Sequence, residues 1–136
     1  ESLAKDLFKA IQQDLFDLGA DLCMPMAETK TLRITPAHCD QLENTIDFYN
    51  KDLEDLKSFV LPGGSRLSSY LHITRTIVRR AERCLCALQA EEPINTFALV
   101  YLNRLSDLLF VLARYMNNKG EDDVLWVPGS SILNKR

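Results

Sequence analysis

Leu71-His72-Ile73-Thr74-Arg75-Thr76-Ile77-Val78-Arg79-Arg80-Ala81-Glu82-Arg83 is the stretch on which the fold turns. At about 100° per residue in a helix, Arg75, Arg79 and Glu82 fall within roughly 60° of one another. Leu67, Tyr70, Thr74, Ile77, Ala81 and Leu85 gather on another arc. The pattern predicts one helix with an apolar stripe and a cationic stripe that carries a single carboxylate. Arginines four residues apart suit polyphosphate, because each guanidinium grips phosphate oxygens two at a time. A carboxylate one turn on can hold an arginine in place or bind a ribose hydroxyl. The competing reading is a solvated basic face laced by intrahelical ion pairs.

Working outward, the loop Phe59-Val60-Leu61-Pro62-Gly63-Gly64-Ser65 precedes this helix, which spans about Ser65 to Leu88 and is broken by Glu91-Glu92-Pro93. A further helix is predicted from about Asn95 to Asn117, with Leu102, Leu105, Leu108, Leu109 and Leu112 as core and Asn118-Lys119-Gly120 as its stop. Upstream, Thr35-Pro36 supplies an N-cap hydroxyl and a first-turn proline. The helix it starts carries Leu42, Ile46, Tyr49, Leu53 and Leu56 and stops before Pro62-Gly63-Gly64. Leu7, Ile11, Leu15, Leu18 and Leu22 repeat at three- and four-residue steps and give an amphipathic helix from Ser2 to Leu22;. The segment from Cys23 to Leu32 reads as a loop, and the tail with Trp126 and Pro128-Gly129-Ser130-Ser131 as irregular. No segment reads as a strand. The expected class is all-α, an antiparallel helical bundle with short loops.

Composition narrows the function. At 136 residues the chain fits a single domain, and 46% hydrophobic content with five Gly and five Pro allows a substantial core;. A net charge of −3 argues against a general nucleic-acid binder;. No apolar run approaches the roughly 20 residues of a membrane span, and no signal peptide is visible. Cys23, Cys39, Cys84 and Cys86 form no CxxC pair, and free thiols in a reducing cytoplasm are the expected state;. His38 and His72 are too few and too isolated for a zinc site, and no Glu-x-x-His supports a di-iron bundle;.

The helix from Asn95 carries its own anomaly. Asn103, Asp107 and Arg114 fall within roughly 40° of one another on an otherwise apolar helix. Buried polar groups need partners. They either make structural bonds to a neighbouring helix or form a second polar wall facing the arginines.

Taken together, these strings resemble the PduO-type ATP:cob(I)alamin adenosyltransferases. The resemblance is carried by Phe59-Val60-Leu61-Pro62-Gly63-Gly64-Ser65, by Leu71-His72 with Arg75 and Arg79-Arg80-Ala81-Glu82-Arg83, and by Leu102-Asn103-Arg104-Leu105-Ser106-Asp107-Leu108-Leu109-Phe110. Ala113-Arg114-Tyr115, Glu121-Asp122-Asp123-Val124-Leu125-Trp126 and the weaker Leu18-Gly19-Ala20-Asp21-Leu22 extend it over nearly the whole chain. It implies a trimer of five-helix bundles with active sites between subunits. It implies transfer of the 5′-deoxyadenosyl group of ATP to the cobalt of cob(I)alamin, with release of triphosphate and with magnesium held mainly by the phosphates. Arg75 would place ATP and serve catalysis, and Arg79, Glu82 and Asn103 would contact ATP. Phe59 would lie against the lower face of the corrin, exclude the lower axial ligand and so ease reduction of cobalt; Asp107 would join the cobalamin site. A reductase and an adenosylcobalamin-dependent enzyme are further implied partners, with no nucleic acid and no membrane. The implied location is the cytoplasm, or the mitochondrial matrix in a eukaryote.

One departure stands out. The family opens with a glycine-rich, threonine- and lysine-containing phosphate-binding segment, followed by a first helix whose aspartate pairs with the essential arginine. Neither is in this sequence, and Thr29-Lys30-Thr31 is no substitute. Residues 1–136 are thus expected to supply four of five helices of one bundle domain and part of the ATP site. The alternative is a catalytically inactive corrinoid-binding module or a purely structural helical bundle.

Overall fold

A computed structural model of the chain describes residues 2–133. Four long helices form the bundle: α1 (Ser2–Leu22), α2 (Pro36–Asn50), α3 (Arg66–Gln89) and α4 (Thr96–Tyr115), followed by the single-turn α5 (Ser130–Leu133). The all-α antiparallel bundle is as expected. The boundaries follow local chemistry. Thr35 and His38 form a reciprocal capping box at the start of α2, with Pro36 in its first turn;. Ser65 caps α3 by accepting from the Ser68 N–H, and Asn95 caps α4 by accepting from the Phe97 N–H;.

α4 is the axis of the fold. It packs most extensively on α3, then on α2, and touches α1. Ala98, Tyr101, Leu105, Leu108, Leu112 and Ala113 are all but excluded from solvent. With 20 residues and a mean hydropathy of 1.4, α4 is long and apolar enough to cross a bilayer, which corrects the expectation that no segment approaches that length. Here its apolar residues are the core of the bundle.

Two expectations need correction. The second helix ends at Asn50 and does not run on toward Pro62. The chain turns away at residues 51–54, and the Glu54 carbonyl accepts from Arg114 Nη2 of α4 at 2.9 Å instead of bonding within a helix. Leu53 still packs on the core, while Leu56 is exposed. More consequentially, the apolar arc of α3 faces out. Leu67, Tyr70, Ile73 and Ile77 are exposed, whereas Ser68, Leu71, His72, Val78 and Leu85 are buried against the bundle. Of the predicted arc only Leu85 lies in the core.

A buried polar knot closes one end of the bundle. Asp21 accepts from Arg33 Nη1 at 2.8 Å, from the Ile34 N–H at 2.7 Å and from Asn95 Nδ2 at 2.7 Å. Burial pushes its carboxyl up, but the bonds from Asn95, Arg33 and Ile34 outweigh this and hold it below the ordinary aspartate value;. Arg33 also donates to the carbonyls of Asp21, Met24 and Pro25, satisfying orphan groups past the C-terminus of α1;.

Candidate functional site along the α3–α4 seam

Because α3 turns its arginine side toward α4, the residues singled out by spacing lie along one seam. Asn103 Nδ2 donates to Glu82 Oε2 at 2.8 Å, and Arg79 Nη1 donates to Glu82 Oε1 at 3.1 Å. Glu82 is therefore bridged between a cation of its own helix and an amide of the next. Its side chain is 13% exposed, and that of Arg79 is 48% exposed. Glu82 is fixed, while Arg79 keeps donors free at the surface. The network continues through Arg104, which donates to Asn103 Oδ1, to Asp107 and to Glu43 of α2.

Arg75 sits one turn back along α3 and differs in kind. Its guanidinium lies over the Phe110 ring, 5.4 Å from the centroid;. Its Nε is buried without a hydrogen-bond partner, and among the described residues no carboxylate lies within ion-pair distance. His72 flanks the same ring at 6.4 Å and is 2% exposed, and its Nε2 likewise has no partner. Burial and the nearby Arg75 charge push the His72 imidazole below its ordinary value, with Asp123 opposing them. His72 is therefore neutral near pH 7. A half-buried cation beside an unpartnered imidazole is an unfinished polar site that favours an anionic or strongly accepting ligand.

Phe59 stands at the far end of the seam and is 76% exposed. Its ring is not part of the core of this chain. Its loop is held by Asn117, which sequence reasoning read only as a helix end. The Asn117 amide is 1% exposed, donates to Gly63 O at 3.0 Å and accepts from the Ser65 N–H at 2.8 Å. Gly64 has φ +100°, and a Cβ there would collide with the Asn117 amide, so glycine is required;. Asp123, also missed, accepts from Asn117 Nδ2 at 3.3 Å and from Arg114 Nε at 2.8 Å. The sequence signals at this knot were the Gly63-Gly64 pair and the Asn118-Lys119-Gly120 helix stop, which lie far apart in the chain.

The predicted triplet on α4 is thus divided. Asn103 faces Glu82 as a polar wall would. Asp107 turns to Arg104, and Arg114 makes a buried structural pair with Asp123. His38 is less isolated than expected: with Asp14 and Asp17 it offers ligand atoms within 4.8 Å of one another. Yet its Nδ1 accepts the Thr35 N–H at 3.0 Å, which leaves the proton of a neutral ring on Nε2, toward Asp17;. Asp14 in turn accepts from the Tyr101 hydroxyl at 2.9 Å. These bonds describe a helix cap and a core contact. The cysteines are free thiols; Cys39 is buried, and the other three are exposed.

Fold and site define a class: a helical bundle with an arginine–glutamate–asparagine seam between two helices, and an exposed phenylalanine at one end. Comparison with known proteins narrows it. The family model described as cobalamin adenosyltransferase matches residues 1–116, and the chain belongs to that family. It is 52% identical to a corrinoid adenosyltransferase of Mycobacterium tuberculosis over 129 residues, covering 91% of this chain and 66% of the relative. It is 43% identical to the corrinoid adenosyltransferase of Bacillus subtilis, covering 100% of this chain and 70% of the relative. A variant PduO-type ATP:corrinoid adenosyltransferase from Lactobacillus reuteri, solved in complex with cobalamin and ATP, superposes with a TM-score of 0.85 at 39% identity, covering 93% of this chain and 70% of that one. The chain therefore spans about two thirds of the length of these relatives.

Proposed function

We propose that the protein is an ATP:cob(I)alamin adenosyltransferase that moves the 5′-deoxyadenosyl group of ATP onto the cobalt of cob(I)alamin. The electron pair of Co(I) attacks C5′ of ATP, the C5′–O bond breaks, and triphosphate leaves with that bond's electrons. The nucleophile belongs to the substrate, so the protein needs no Ser, Cys or His nucleophile. Its task is to align cobalt with C5′ and to stabilise charge growing on the triphosphate.

The observation that carries this reading is the seam itself. Arg75 is a half-buried cation without a carboxylate among the described residues, and Arg79 keeps donors exposed beside it. A triphosphate supplies negative charge here, beside the aspartate that the family's first helix brings to Arg75. Glu82 and Asn103, bonded to each other, suit the ribose and the adenine end. Phe59 meets the lower corrin face and excludes the lower axial ligand, with Asp107 at the edge of the corrinoid site. Magnesium travels with the ATP phosphates, and no residue is assigned to it.

The active unit is a homotrimer in this reading. The exposed Leu67, Tyr70, Ile73 and Ile77 of α3 form the apolar face a neighbouring subunit would cover;. Light scattering of the protein at micromolar concentration is expected to give the trimer mass. We place the protein in the cytoplasm, where exposed Cys23, Cys84 and Cys86 stay reduced;. A reductase and an adenosylcobalamin-dependent enzyme are its expected neighbours in metabolism.

The direct test is ATP-dependent conversion of chemically reduced cob(I)alamin to adenosylcobalamin, followed by absorbance, alongside calorimetric titration of ATP and of cob(II)alamin. Conversion is expected. Binding of cob(II)alamin without conversion would favour an inactive corrinoid-binding module, and absence of conversion and of binding of either molecule would leave a structural bundle.

A further inference from the structure

The surface that carries Phe59 is built from two segments far apart in sequence. Val60 and Leu125 form an antiparallel bridge. The Leu61 N–H donates to Val124 O at 2.7 Å, the Trp126 N–H donates to Phe59 O at 2.8 Å, and Ser58 Oγ donates to Trp126 O at 2.7 Å. In an antiparallel pair, side chains alternate between faces and opposite residues share one. Phe59 therefore stands opposite Trp126, and Leu61 opposite Val124, on the same face. That face is open: Trp126 is 46% exposed, and Leu61 and Val124 are comparably so.

The Phe59 and Trp126 rings meet edge to face with centroids 5.9 Å apart and planes at 60°;. Phe59 itself has too little buried surface for the core to fix its rotamer. The bridge, by contrast, is anchored firmly from behind. Asp123, one residue before Val124, is fastened by Arg114 and Asn117, and Asn117 also grips Gly63 and Ser65. The backbone of the loop is thus rigidly placed, and the remaining freedom lies in the Phe59 ring. Trp126 is the side chain positioned to remove it.

We propose that Trp126 is a positioning residue: its indole orients the Phe59 ring so that Phe59 stays pressed against the lower face of the bound corrinoid. The inference rests on the proposed role of Phe59 in excluding the lower axial ligand. It assigns the tail at residues 123–127 to the reduction of cobalt, not to ATP placement or to attack on C5′.

The test uses the full chain with cob(II)alamin and ATP, with electron paramagnetic resonance reporting the four-coordinate fraction. Trp126→Ala keeps every backbone bond of the bridge, so the fold should persist, which an unchanged melting curve verifies. Trp126→Ala is expected to lose at least about half of the four-coordinate signal, while turnover of chemically reduced cob(I)alamin and KM for ATP change by less than about twofold. Trp126→Phe should restore most of the signal. A Phe59→Ala/Trp126→Ala double variant should match Phe59→Ala alone, because a residue acting through another adds nothing once that other is gone. A wild-type four-coordinate signal in Trp126→Ala, with the signal lost in Phe59→Ala, overturns the inference and leaves the role of Phe59 standing. A double variant clearly worse than Phe59→Ala overturns it too, since Trp126 would then act directly. An unchanged signal in Phe59→Ala removes the role of Phe59 itself, and the inference falls with it.

Discussion

Arg75 of α3 and Arg114 of α4 have opposite environments. Arg114 is finished: its Nε pairs with buried Asp123 at 2.8 Å, and its Nη2 donates to Glu54 O at 2.9 Å. Arg75 is unfinished: it rests on Phe110 with its Nε unpartnered. Among the described residues one arginine is completed and the other is not, and this contrast separates a structural node from a candidate site. The node at Arg114, Asn117 and Asp123 fixes where the loop with Gly63 and Gly64 lies. The Arg75–Arg79–Glu82–Asn103 stretch holds the open positions. Stability should track the first region and turnover the second.

The largest expected effect breaks the scaffold side. Arg114→Ala strands a carboxylate whose side chain is 3% exposed. Removing one partner of a buried pair costs about 3–5 kcal/mol, because the remaining charge is uncompensated. Denaturant unfolding should show that loss as a lower midpoint at unchanged slope. A loss below about 1 kcal/mol would mean that the Asp123 carboxylate is solvated without Arg114, and the contrast with Arg75 would dissolve.

The next effect sharpens the site side. Arg75→Ala and Arg79→Ala should each lower turnover at saturating ATP by about 10²–10³, on the scale of single donors to a developing negative charge. Stability should move by less than about 0.5 kcal/mol, since neither arginine completes a buried pair and alanine is a good helix former. Lysine at either position should rescue poorly, because a point charge cannot replace a bidentate fork. A loss under about tenfold for either variant removes that arginine from the reaction.

The same contrast shows what the sequence could and could not reveal. Helix existence was legible nearly to the residue for α1, α3 and α4, because periodicity and caps act locally. Which face of α3 points inward was not. Leu67, Tyr70, Thr74, Ile77 and Ala81 look like a core stripe by period alone, yet α4 meets the arc holding Ser68, Leu71, His72, Arg75 and Glu82. Period identifies two faces, and packing partners decide between them. The link between Glu82 and Asn103 was not named from the sequence, which left Asn103 open between a structural bond to a neighbouring helix and a polar wall facing the arginines. Asp21, Asn117 and Asp123 were not seen as structural nodes. Their partners lie far along the chain, at Asn95, Gly63 and Arg114, and no local spacing announces such pairings. The end of α2 was misplaced for a related reason: the group that takes up the Glu54 carbonyl comes from α4.

The smallest expected effect is on stability at Phe59, and it discriminates well because two readings of that residue differ in sign of surprise. A buried phenylalanine truncated to alanine costs about 3–5 kcal/mol through lost transfer energy and a cavity. Phe59 is 76% exposed, and the bonds of its loop run through backbone groups and Asn117, none of which a substitution to alanine removes. What goes is one edge-to-face contact with Trp126, a pair of the kind worth about 0.5–1.5 kcal/mol when well packed and less at an open surface;. Phe59→Ala should therefore shift the unfolding free energy by less than about 0.5 kcal/mol. Loss of exposed apolar area offsets part of that cost, so a slight gain fits the same picture. A cost near the buried-core value would put the ring inside a larger assembly without ligand, covered by a neighbouring subunit, and Phe59 would then belong with Arg114 as scaffold. A negligible cost keeps it with Arg75 and Arg79, as a side chain held at the surface for a molecule that has yet to bind.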